Sequence, residues 1–259
     1  MRRLALRWTA LGYLLIVLLG PISMVFWKTF EHGFAPFWDA LTSGETRTAF
    51  KNTLLIVAIA VPLNTIFGIV CALAIVRRRF PGKGFVNAFV DLPLALSPVV
   101  VGLSLYILYG REGWLGNWLN DNVTQVLFAL PSMVIATIFV SLPFVAREVV
   151  PTLREIGDDQ EQAATTLGSS SMQTFWRITL PSIRWAVIYG VVLTTARSLG
   201  EYGAVSVVHG YNTTATLQVQ DDYENFNTTG AYAVSLLLAI LAVLVLAAMM
   251  LLRPKEAAS

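Results

Sequence analysis

Residues 53–76 read TLLIVAIAVPLNTIFGIVCALAIV, a run without a single charged side chain. A helix needs about 20 predominantly apolar residues to cross the roughly 30 Å hydrocarbon core of a bilayer. The run meets this length, and it is too long and too continuous to be a strand of a membrane barrel. Because lipid offers no hydrogen-bond partner to backbone amides, the run is predicted to cross as an α-helix.

Similar apolar runs lie on both sides of this one. The predicted spans are about 8–28, 53–76, 88–110, 122–146, 185–208 and 230–252. Composition agrees, since hydrophobic residues make up 56% of the chain and charged residues only 13%, against about 25% charged residues in an average soluble domain. The polar stretches between the spans are too short to form a core of their own. The sequence therefore predicts an all-α polytopic membrane protein with six transmembrane helices, in which residues 1–259 form a single transmembrane domain.

The positions of Lys and Arg predict the orientation of these spans. With six spans both termini lie on one side, and that side carries thirteen basic residues against four on the other. The thirteen are Arg2, Arg3, Arg7, Arg77, Arg78, Arg79, Lys83, Arg147, Arg154, Arg177, Arg184, Arg253 and Lys255; the four are Lys28, Arg47, Lys51 and Arg111. Basic residues concentrate in cytoplasmic loops, so both termini and the loop 147–184 are predicted to be cytoplasmic. These loops also explain the net charge of +2 without a nucleic-acid partner.

The cytoplasmic loop contains a predicted short helix. Asp158 is expected to cap its N-terminus, with Glu161 three residues later completing a capping box. Gly168 is the expected stop. A helix of about ten residues is marginal by itself in water, so it needs a surface on which to pack. Ala163 and Ala164 are expected to give it a thin face that another protein can approach closely.

Residues 159–181, DQEQAATTLGSSSMQTFWRITLP, resemble the E-A-A-x3-G-x9-I-x-L-P loop of ABC-importer permeases. In that family the loop carries the helix that docks on the ATPase subunit. The resemblance implies a docking role for Glu161, Gln162, Ala163, Ala164, Leu167 and Gly168. The sequence departs from the family at one position, since Gln162 holds the place of the family's glutamate and Glu161 stands one residue earlier. An ATPase contact at that position would therefore use a neutral group or be absent, and the alternative for the whole loop is an ordinary turn and helix.

Other segments extend the resemblance to permeases of sulfate and molybdate importers. Residues 86–109 resemble the third-span region of these permeases, residues 131–151 share the resemblance, and 196–208, ARSLGEYGAVSVV, resembles their A-R-x-x-G-E-F-G-A pattern with Tyr202 in place of Phe. Residues 186–208 and 229–252 are most similar to the W-type permease of sulfate/thiosulfate importers. The resemblance implies a type I importer permease fold in the bacterial inner membrane. It also implies a homologous T-type permease, two ATPase subunits and a periplasmic or lipid-anchored sulfate-binding protein as partners.

The implied function is that of a permease subunit that forms half of a translocation pathway for sulfate or thiosulfate. Molybdate, tungstate or another tetrahedral oxyanion is the alternative substrate. The sequence has no P-loop G-x-x-x-x-G-K-[ST], so ATP is expected to be hydrolysed by the partner subunit. We expect no catalytic residue, no metal and no cofactor in this chain. A secondary anion transporter or a channel is the rival class, and it has no reason to carry the 163–181 spacing.

Two charged residues fall inside the fifth predicted span. Counted from Trp185, Arg197 lies about 18 Å into the span at 1.5 Å per residue. A charge at such a depth costs at least about 2.5–3.5 kcal/mol, so these residues usually face a cavity or a partner. Glu201 is four residues further on and is expected to share the helix face of Arg197. The pair is either a gate of the anion path or a structural ion pair, and the hydroxyls of Ser97 and Ser198 either line that path or bond to their own helices.

Overall fold

The computed structural model of the protein describes residues 2–110, 113–116 and 126–252, and within these ranges its regular structure is helical. The helices are α1 (Arg2–Phe30), α2 (Phe34–Thr42), α3 (Gly44–Arg77), α4 (Lys83–Ala95), α5 (Pro98–Tyr109), α6 (Leu130–Ser141), α7 (Pro143–Ile156), α8 (Asp159–Thr166), α9 (Ser171–Thr174), a π-helical segment (Phe175–Thr179), α10 (Leu180–Leu199), α11 (Val205–Val208), α12 (Ala215–Glu224) and α13 (Thr228–Leu252).

Five helical segments in the described part of the chain are long and apolar enough to cross a membrane. They are Arg7–Phe30, Gly44–Arg77, Leu130–Ile156, Ser171–Leu199 and Thr228–Met250. The helices α4 and α5 provide a sixth crossing if the bent pair counts as one span. The all-α, multi-pass architecture predicted from the apolar runs is therefore confirmed.

The third predicted span, 88–110, is wrong as one straight helix. The axes of α4 and α5 differ in direction by 110°. Pro98 is the first residue of α5, and proline disfavours the helical conformation in the residue before it. Ser97 is accordingly extended, with φ −65° and ψ 136°. The chain thus changes direction within an apolar stretch that hydropathy alone reads as continuous.

The fourth and fifth predicted spans differ from the structure in their ends. In place of 122–146 the helical segment is Leu130–Ile156, and residues 122–125 lie outside the described part of the chain. In place of 185–208 it is Ser171–Leu199. Much of the predicted loop 147–184 is therefore helical. At one end of each span the helix continues into polar turns that hydropathy excludes, and at the other end the predicted span includes residues that are not helical, 126–129 and 200–204.

The chain divides into two compact units, each with its own packing. The first consists of the described residues within Met1–Lys51 and Thr214–Leu241. It contains a cluster of aromatic side chains at the junction of α1 and α2. The second consists of the described residues within Asn52–Thr213 and Ala242–Ser259, and it holds the candidate functional residues. That residues 1–259 act as one permease domain stays a prediction.

The core of the second unit forms where α3, α7 and α10 cross. Its buried side chains are Ala72, Val145, Val149, Leu153, Ile183 and Ala186. Two glycines allow the close approach: a Cβ on Gly68 would lie 2.6 Å from the Cβ of Val145, and a Cβ on Gly190 would lie 2.7 Å from the Cα of Val145. Small residues at such crossings are a general feature of membrane helix packing. The crossing fixes the relative positions of the three helix ends that carry the candidate docking segment.

Candidate functional site

The helix α8 lies where the sequence predicts a docking helix, although it is shorter than expected, with eight residues. It ends in a Schellman motif around Gly168, whose φ is 86°. The N–H of Ser169 donates to the carbonyl of Ala164 and the N–H of Gly168 donates to the carbonyl of Thr165, both at 3.0 Å. Glycine is favoured at this left-handed position, so the structure has the helix end that the sequence predicts.

The predicted capping box at the start of α8 is wrong. Asp158 makes no side-chain capping hydrogen bond. Glu161 instead pairs with Arg77 from the end of α3, with Nε–Oε2 at 2.9 Å and Nη2–Oε1 at 3.2 Å. Thr179 donates its hydroxyl to Glu161 Oε1 at 2.9 Å. A capping box competes with these stronger charged bonds for the same carboxylate, and the charged bonds prevail. We call Arg77, Glu161 and Thr179 the Arg77 clamp.

Arg77 also binds the end of α7. Its Nη1 donates to the carbonyl of Leu153 at 3.0 Å and its Nη2 donates to the carbonyl of Gly157 at 2.6 Å. The planar guanidinium presents five donors in a rigid fork, which suits a carboxylate and two carbonyls together. Sequence reasoning missed this role because Arg77 stands in a run with Arg78 and Arg79 that predicts only a basic loop. No local sequence signal separates Arg77 from its two neighbours.

The predicted docking residues divide into an exposed and a buried set. Gln162 and Ala163 are exposed, and Leu167 is 88% exposed. Ala164 is buried, contrary to the prediction that both alanines face outward. At 3.6 residues per turn, successive side chains point about 100° apart, so two adjacent alanines do not point in the same direction. Of the predicted docking residues, Gln162, Ala163, Leu167 and Gly168 are therefore accessible, whereas Ala164 is not.

The chain beyond Gly168 adds exposed apolar side chains. Met172 and Trp176 are both largely exposed. The intervening α9 begins with a capping box: Ser170 Oγ accepts from the N–H of Gln173 at 3.3 Å, and Gln173 Oε1 accepts from the N–H of Ser170 at 3.0 Å. The spacing S-x-x-Q was the sequence signal that could have located this helix start. We call residues 159–179, from α8 through the π-helical segment, the docking segment.

The sequence predicts that the candidate pathway residues Arg197 and Glu201 share one continuous helix. The structure shows that they do not. The helix α10 ends at Leu199, which places Arg197 in its last turn and Glu201 beyond its end. Gly200, with φ −93° and ψ 11°, begins the departure from helical geometry. The ion pair nevertheless forms, with Arg197 Nη1 2.5 Å from Glu201 Oε2. A cation in the last turn of a helix is also stabilised by the helix dipole.

The two partners of this pair differ in accessibility. Glu201 is 3% exposed, and its Oε1 accepts from the N–H of Ala204 at 2.8 Å. The Arg197 side chain is 31% exposed. Both carboxylate oxygens are thus engaged inside the chain, where they hold the turn 200–204 in place. The guanidinium is the partly accessible member of the pair.

The turn 200–204 lies directly against the break between α4 and α5. A Cβ on Gly203 would lie 3.0 Å from the Cβ of Pro98, and a Cβ on Gly102 would lie 2.7 Å from the carbonyl oxygen of Ala204. Ser97 is exposed at this break. Non-helical backbone at membrane depth is tolerated where protein buries it or where it lines a cavity. The structure therefore brings Ser97 to the same pair of helix breaks as Arg197 and Glu201.

Ser198 has a different environment, in a buried polar network that joins three helices. Its hydroxyl donates to Ser141 Oγ at 3.3 Å, and Asn64 Nδ2 donates to the same Ser141 Oγ at 2.8 Å. Asn64 also donates to the carbonyl of Ile138 at 3.1 Å. Sequence reasoning missed Asn64, although a lone amide within the apolar run 53–76 was the available signal. Ser198 contributes to helix packing in this arrangement.

Comparison with known proteins gives the family of this fold. The chain is 50% identical over 239 residues to the sulfate transport system permease protein CysW of Synechococcus elongatus, with 91% of this chain and 84% of that protein covered. It is 37% identical over 202 residues to the sulfate transport system permease protein CysT of Escherichia coli K12, with 78% and 73% covered.

Among solved structures, the chain is similar to a bacterial ABC transporter involved in the import of the acidic polysaccharide alginate. The TM-score is 0.78 at 20% sequence identity, with 95% of this chain and 92% of that chain covered. This likeness shows the fold, which is that of a type I ABC-importer permease. Residues 64–256 match the family described as binding-protein-dependent transport system inner membrane component. The chain therefore belongs to the binding-protein-dependent transport system inner membrane components, a family of ABC-importer permeases.

Proposed function

We propose that this chain is the membrane permease of an ATP-driven importer of sulfate and thiosulfate, and that it forms one half of the translocation pathway. The observation that carries the proposal is the docking segment 159–179, a polar stretch with exposed apolar side chains in a permease of this family. The substrate class follows from the relatives, which are named as sulfate permeases.

The exposed side chains of the docking segment support a protein partner on that surface. Leu167, in the turn after α8, and Met172, in α9, are large, apolar and exposed. Burying one such side chain is worth about 1.5–3 kcal/mol, so a protein that covers them gains stability. Ala163 adds a place for close approach. We assign this surface to the ATPase subunit, with Gln162 as a neutral contact where the family has glutamate.

The remaining partners and the location belong to the same proposal. A homologous T-type permease supplies the second half of the pathway, and two ATPase subunits bind and hydrolyse ATP. A periplasmic or lipid-anchored sulfate-binding protein delivers the anion. In this proposal the chain catalyses no reaction and binds no cofactor. It resides in the bacterial inner membrane with both termini in the cytoplasm.

The pathway itself is assigned to the two helix breaks that touch each other. The partly exposed Arg197 and the exposed Ser97 offer hydrogen-bond donors to a passing oxyanion. Arg197 neutralises Glu201, so the buried carboxylate does not repel the anion. Broken helices at the transport site are a recurring design in membrane transporters, because they expose backbone polar groups to the substrate. Glu201 positions Arg197 through the ion pair. Ser198 contributes to the packing of α10 through its hydrogen bond to Ser141.

Uptake in cells tests the proposal. The chain is expressed together with its ATPase, its partner permease and its binding protein in a bacterium that lacks sulfate import, and uptake of radiolabelled sulfate is measured. We expect uptake that requires the ATPase and that excess thiosulfate suppresses. Suppression by molybdate at lower concentrations than by thiosulfate would point to the alternative oxyanion. Uptake that persists without the ATPase would contradict the proposal and favour a secondary transporter.

A further inference from the structure

We propose that the Arg77 clamp holds the docking helix α8 on the cytoplasmic end of α3, so that a displacement of α8 by the ATPase is passed to this membrane-spanning helix. The inference rests on the proposed docking function of α8. Arg77 is a positioning residue in this scheme, since it acts through Glu161 and not by touching the ATPase.

The hydrogen bonds of Arg77 and of its partner Glu161 join four elements. Arg77 comes from α3, its carboxylate partner comes from α8, and Thr179 comes from the π-helical segment before α10. The carbonyls of Leu153 and Gly157 come from the end of α7. The last carbonyls of a helix have no partner within it, so Arg77 satisfies groups that would otherwise need water. A shift of α8 that kept these bonds would have to move the end of α3 as well.

In the described part of the chain, the other interactions of α8 include its packing against α9 and the π-helical segment. Ala164 is its buried residue. Glycines with positive φ flank the helix on both sides, Gly157 at 71° and Gly168 at 86°. Glycine visits such conformations at little cost, so both flanks allow the helix to turn as a body. Glu161 adds the charged attachment of α8 to α3 through Arg77.

The clamp also explains the departure from the family pattern at Gln162. The carboxylate of Glu161 is engaged with Arg77 and Thr179 inside the chain. The next residue, Gln162, is exposed. The negative charge in this chain thus serves to fix α8 from within, and the outward position is neutral.

The test compares two neighbouring arginines in the complete transporter. Arg77→Gln removes the clamp, whereas Arg78→Gln removes the same charge from an exposed side chain for which the described residues provide no ion pair. Both complexes are purified, and sulfate uptake per ATP hydrolysed is measured in vesicles. We expect Arg77→Gln to lower this ratio about tenfold, the equivalent of roughly one charged hydrogen bond, and Arg78→Gln to leave it unchanged.

Two further variants make the outcome decisive. Exchange of the charges, Arg77→Glu with Glu161→Arg, is expected to restore only part of the ratio, because it re-forms the ion pair while a carboxylate at position 77 cannot donate to the carbonyls of Leu153 and Gly157. Arg77→Lys keeps the charge without the fork, and its ratio is expected to be intermediate; it serves as the test if Arg77→Gln does not accumulate. Equal ratios for Arg77→Lys, Arg78→Gln and the unaltered transporter would overturn the clamp.

One more variant separates this inference from the docking function on which it rests. Ala163→Arg places a bulky charge on the outer face of α8 and leaves the clamp intact. If the ATPase still binds this variant, the docking function itself fails. If Ala163→Arg blocks binding while the Arg77 variants behave as the unaltered chain, the docking function stands and the clamp alone is refuted.

A separate observation in the first unit carries a second inference, about α2. Its apolar residues recur at i, i+3, i+4 and i+7, which places them on one helix face. They are Phe34, Phe37, Trp38 and Leu41, and Asp39 lies on the opposite face. We infer that α2 lies along the lipid headgroup region at the end of α1, with this aromatic face towards the acyl chains.

The aromatic face continues the surface of α1. The ring of Phe30 lies 5.0 Å from that of Phe37 and 6.3 Å from that of Phe34, yet Phe34 is 62% and Trp38 55% exposed. Aromatic side chains collect at membrane–water interfaces, and amphipathic helices lie there with their apolar face inward. Residues 31–33, between α1 and α2, are placed on the aqueous side of this interface. Glu31 pairs with Lys28 at 2.8 Å, and both side chains are partly exposed; the hydrogen bond from Lys28 also lowers the pKa of the Glu31 carboxyl, which favours its charged form.

Spin labels at two adjacent positions test this placement. In a Cys71→Ala background, Trp38→Cys and Asp39→Cys are labelled with a nitroxide, and the complete transporter is reconstituted in phospholipid vesicles. Collision with oxygen, which concentrates in lipid, is compared with collision with a water-soluble nickel chelate. We expect label 38 to favour oxygen and label 39 to favour nickel. A label at 38 that favours nickel, or that neither reagent reaches because protein covers it, would refute the lipid contact; Phe34→Cys repeats the test if Trp38→Cys alters assembly.

Discussion

At the scale of single residues, adjacent side chains in this chain have opposite surroundings. Ala163 faces outward from α8 and Ala164 faces inward. Arg77 is enclosed by hydrogen bonds and Arg78 is exposed. Glu201 is buried and its partner Arg197 is partly accessible. Because these surroundings differ, substitutions at positions close together in the sequence are expected to fail for different reasons.

The two alanines of α8 give the clearest case. We expect Ala163→Arg to leave the thermal stability of the purified chain unchanged and to abolish recovery of the ATPase in a pull-down. Ala164→Arg forces a long charged side chain into a buried position, so it should lower the stability itself by about 3 kcal/mol or more. Equal stability of the two variants would contradict the orientation of α8.

The ion pair between Arg197 and Glu201 predicts an asymmetry between its two single variants. Arg197→Gln leaves the buried Glu201 without a counter-charge, which should cost about 3–5 kcal/mol. Glu201→Gln leaves a partly exposed guanidinium and should cost less. The double variant should be more stable than Arg197→Gln alone, since it removes the isolated charge. Thermal unfolding midpoints of the four chains in detergent would reveal this order, and strictly additive losses would show that the residues act independently.

At the scale of elements, the helix breaks are held together by glycines that leave room for backbone. We expect Gly102→Ala, whose Cβ would lie 2.7 Å from the carbonyl oxygen of Ala204, to destabilise the chain by about 1–3 kcal/mol through overpacking. Gly84→Ala in α4 is the matched control, because a Cβ there meets no atom within 4 Å. Unfolding midpoints in detergent compare the two, and a lower midpoint for the control would refute the packing of α5 against the turn 200–204.

The elements also show how far a sequence can be interpreted. The apolar run 53–76 predicts its helix because lipid leaves the backbone no alternative. Pro98 in the sequence indicates a helix break, but neither the 110° angle of the bend nor the turn 200–204 that packs against it can be read from local sequence. The local sequence predicts that Glu161 forms a capping box with Asp158, but in the fold its carboxylate binds Arg77 instead. Local signals thus locate helices and stops such as Gly168, whereas pairings between distant residues such as Arg77 and Glu161 need the fold.

At the scale of the whole molecule, the orientation in the membrane is the main expectation still to be measured. In a Cys71→Ala background, we expect Gln160→Cys to resist an impermeant thiol reagent added to intact spheroplasts, because the docking segment faces the cytoplasm. Tyr211→Cys, at a fully exposed position, should react. Both cysteines should react after lysis, which serves as the control for accessibility. Reaction at position 160 in sealed spheroplasts would reverse the orientation.

The brevity of α8 has a consequence for how the transporter assembles. With eight residues, it is below the roughly 12–15 residues that an isolated helix needs to persist in water, whereas α9 continues through the π-helical segment into α10. Backbone amides of 159–170 should therefore exchange with deuterium within seconds in the free chain, while those of α10 exchange slowly. Binding of the ATPase should slow exchange in 159–170 many-fold and leave α10 unchanged. The nucleotide-hydrolysing subunit would then complete the folding of the surface to which it binds, and an orphan permease would be recognisable to proteases by this unprotected stretch.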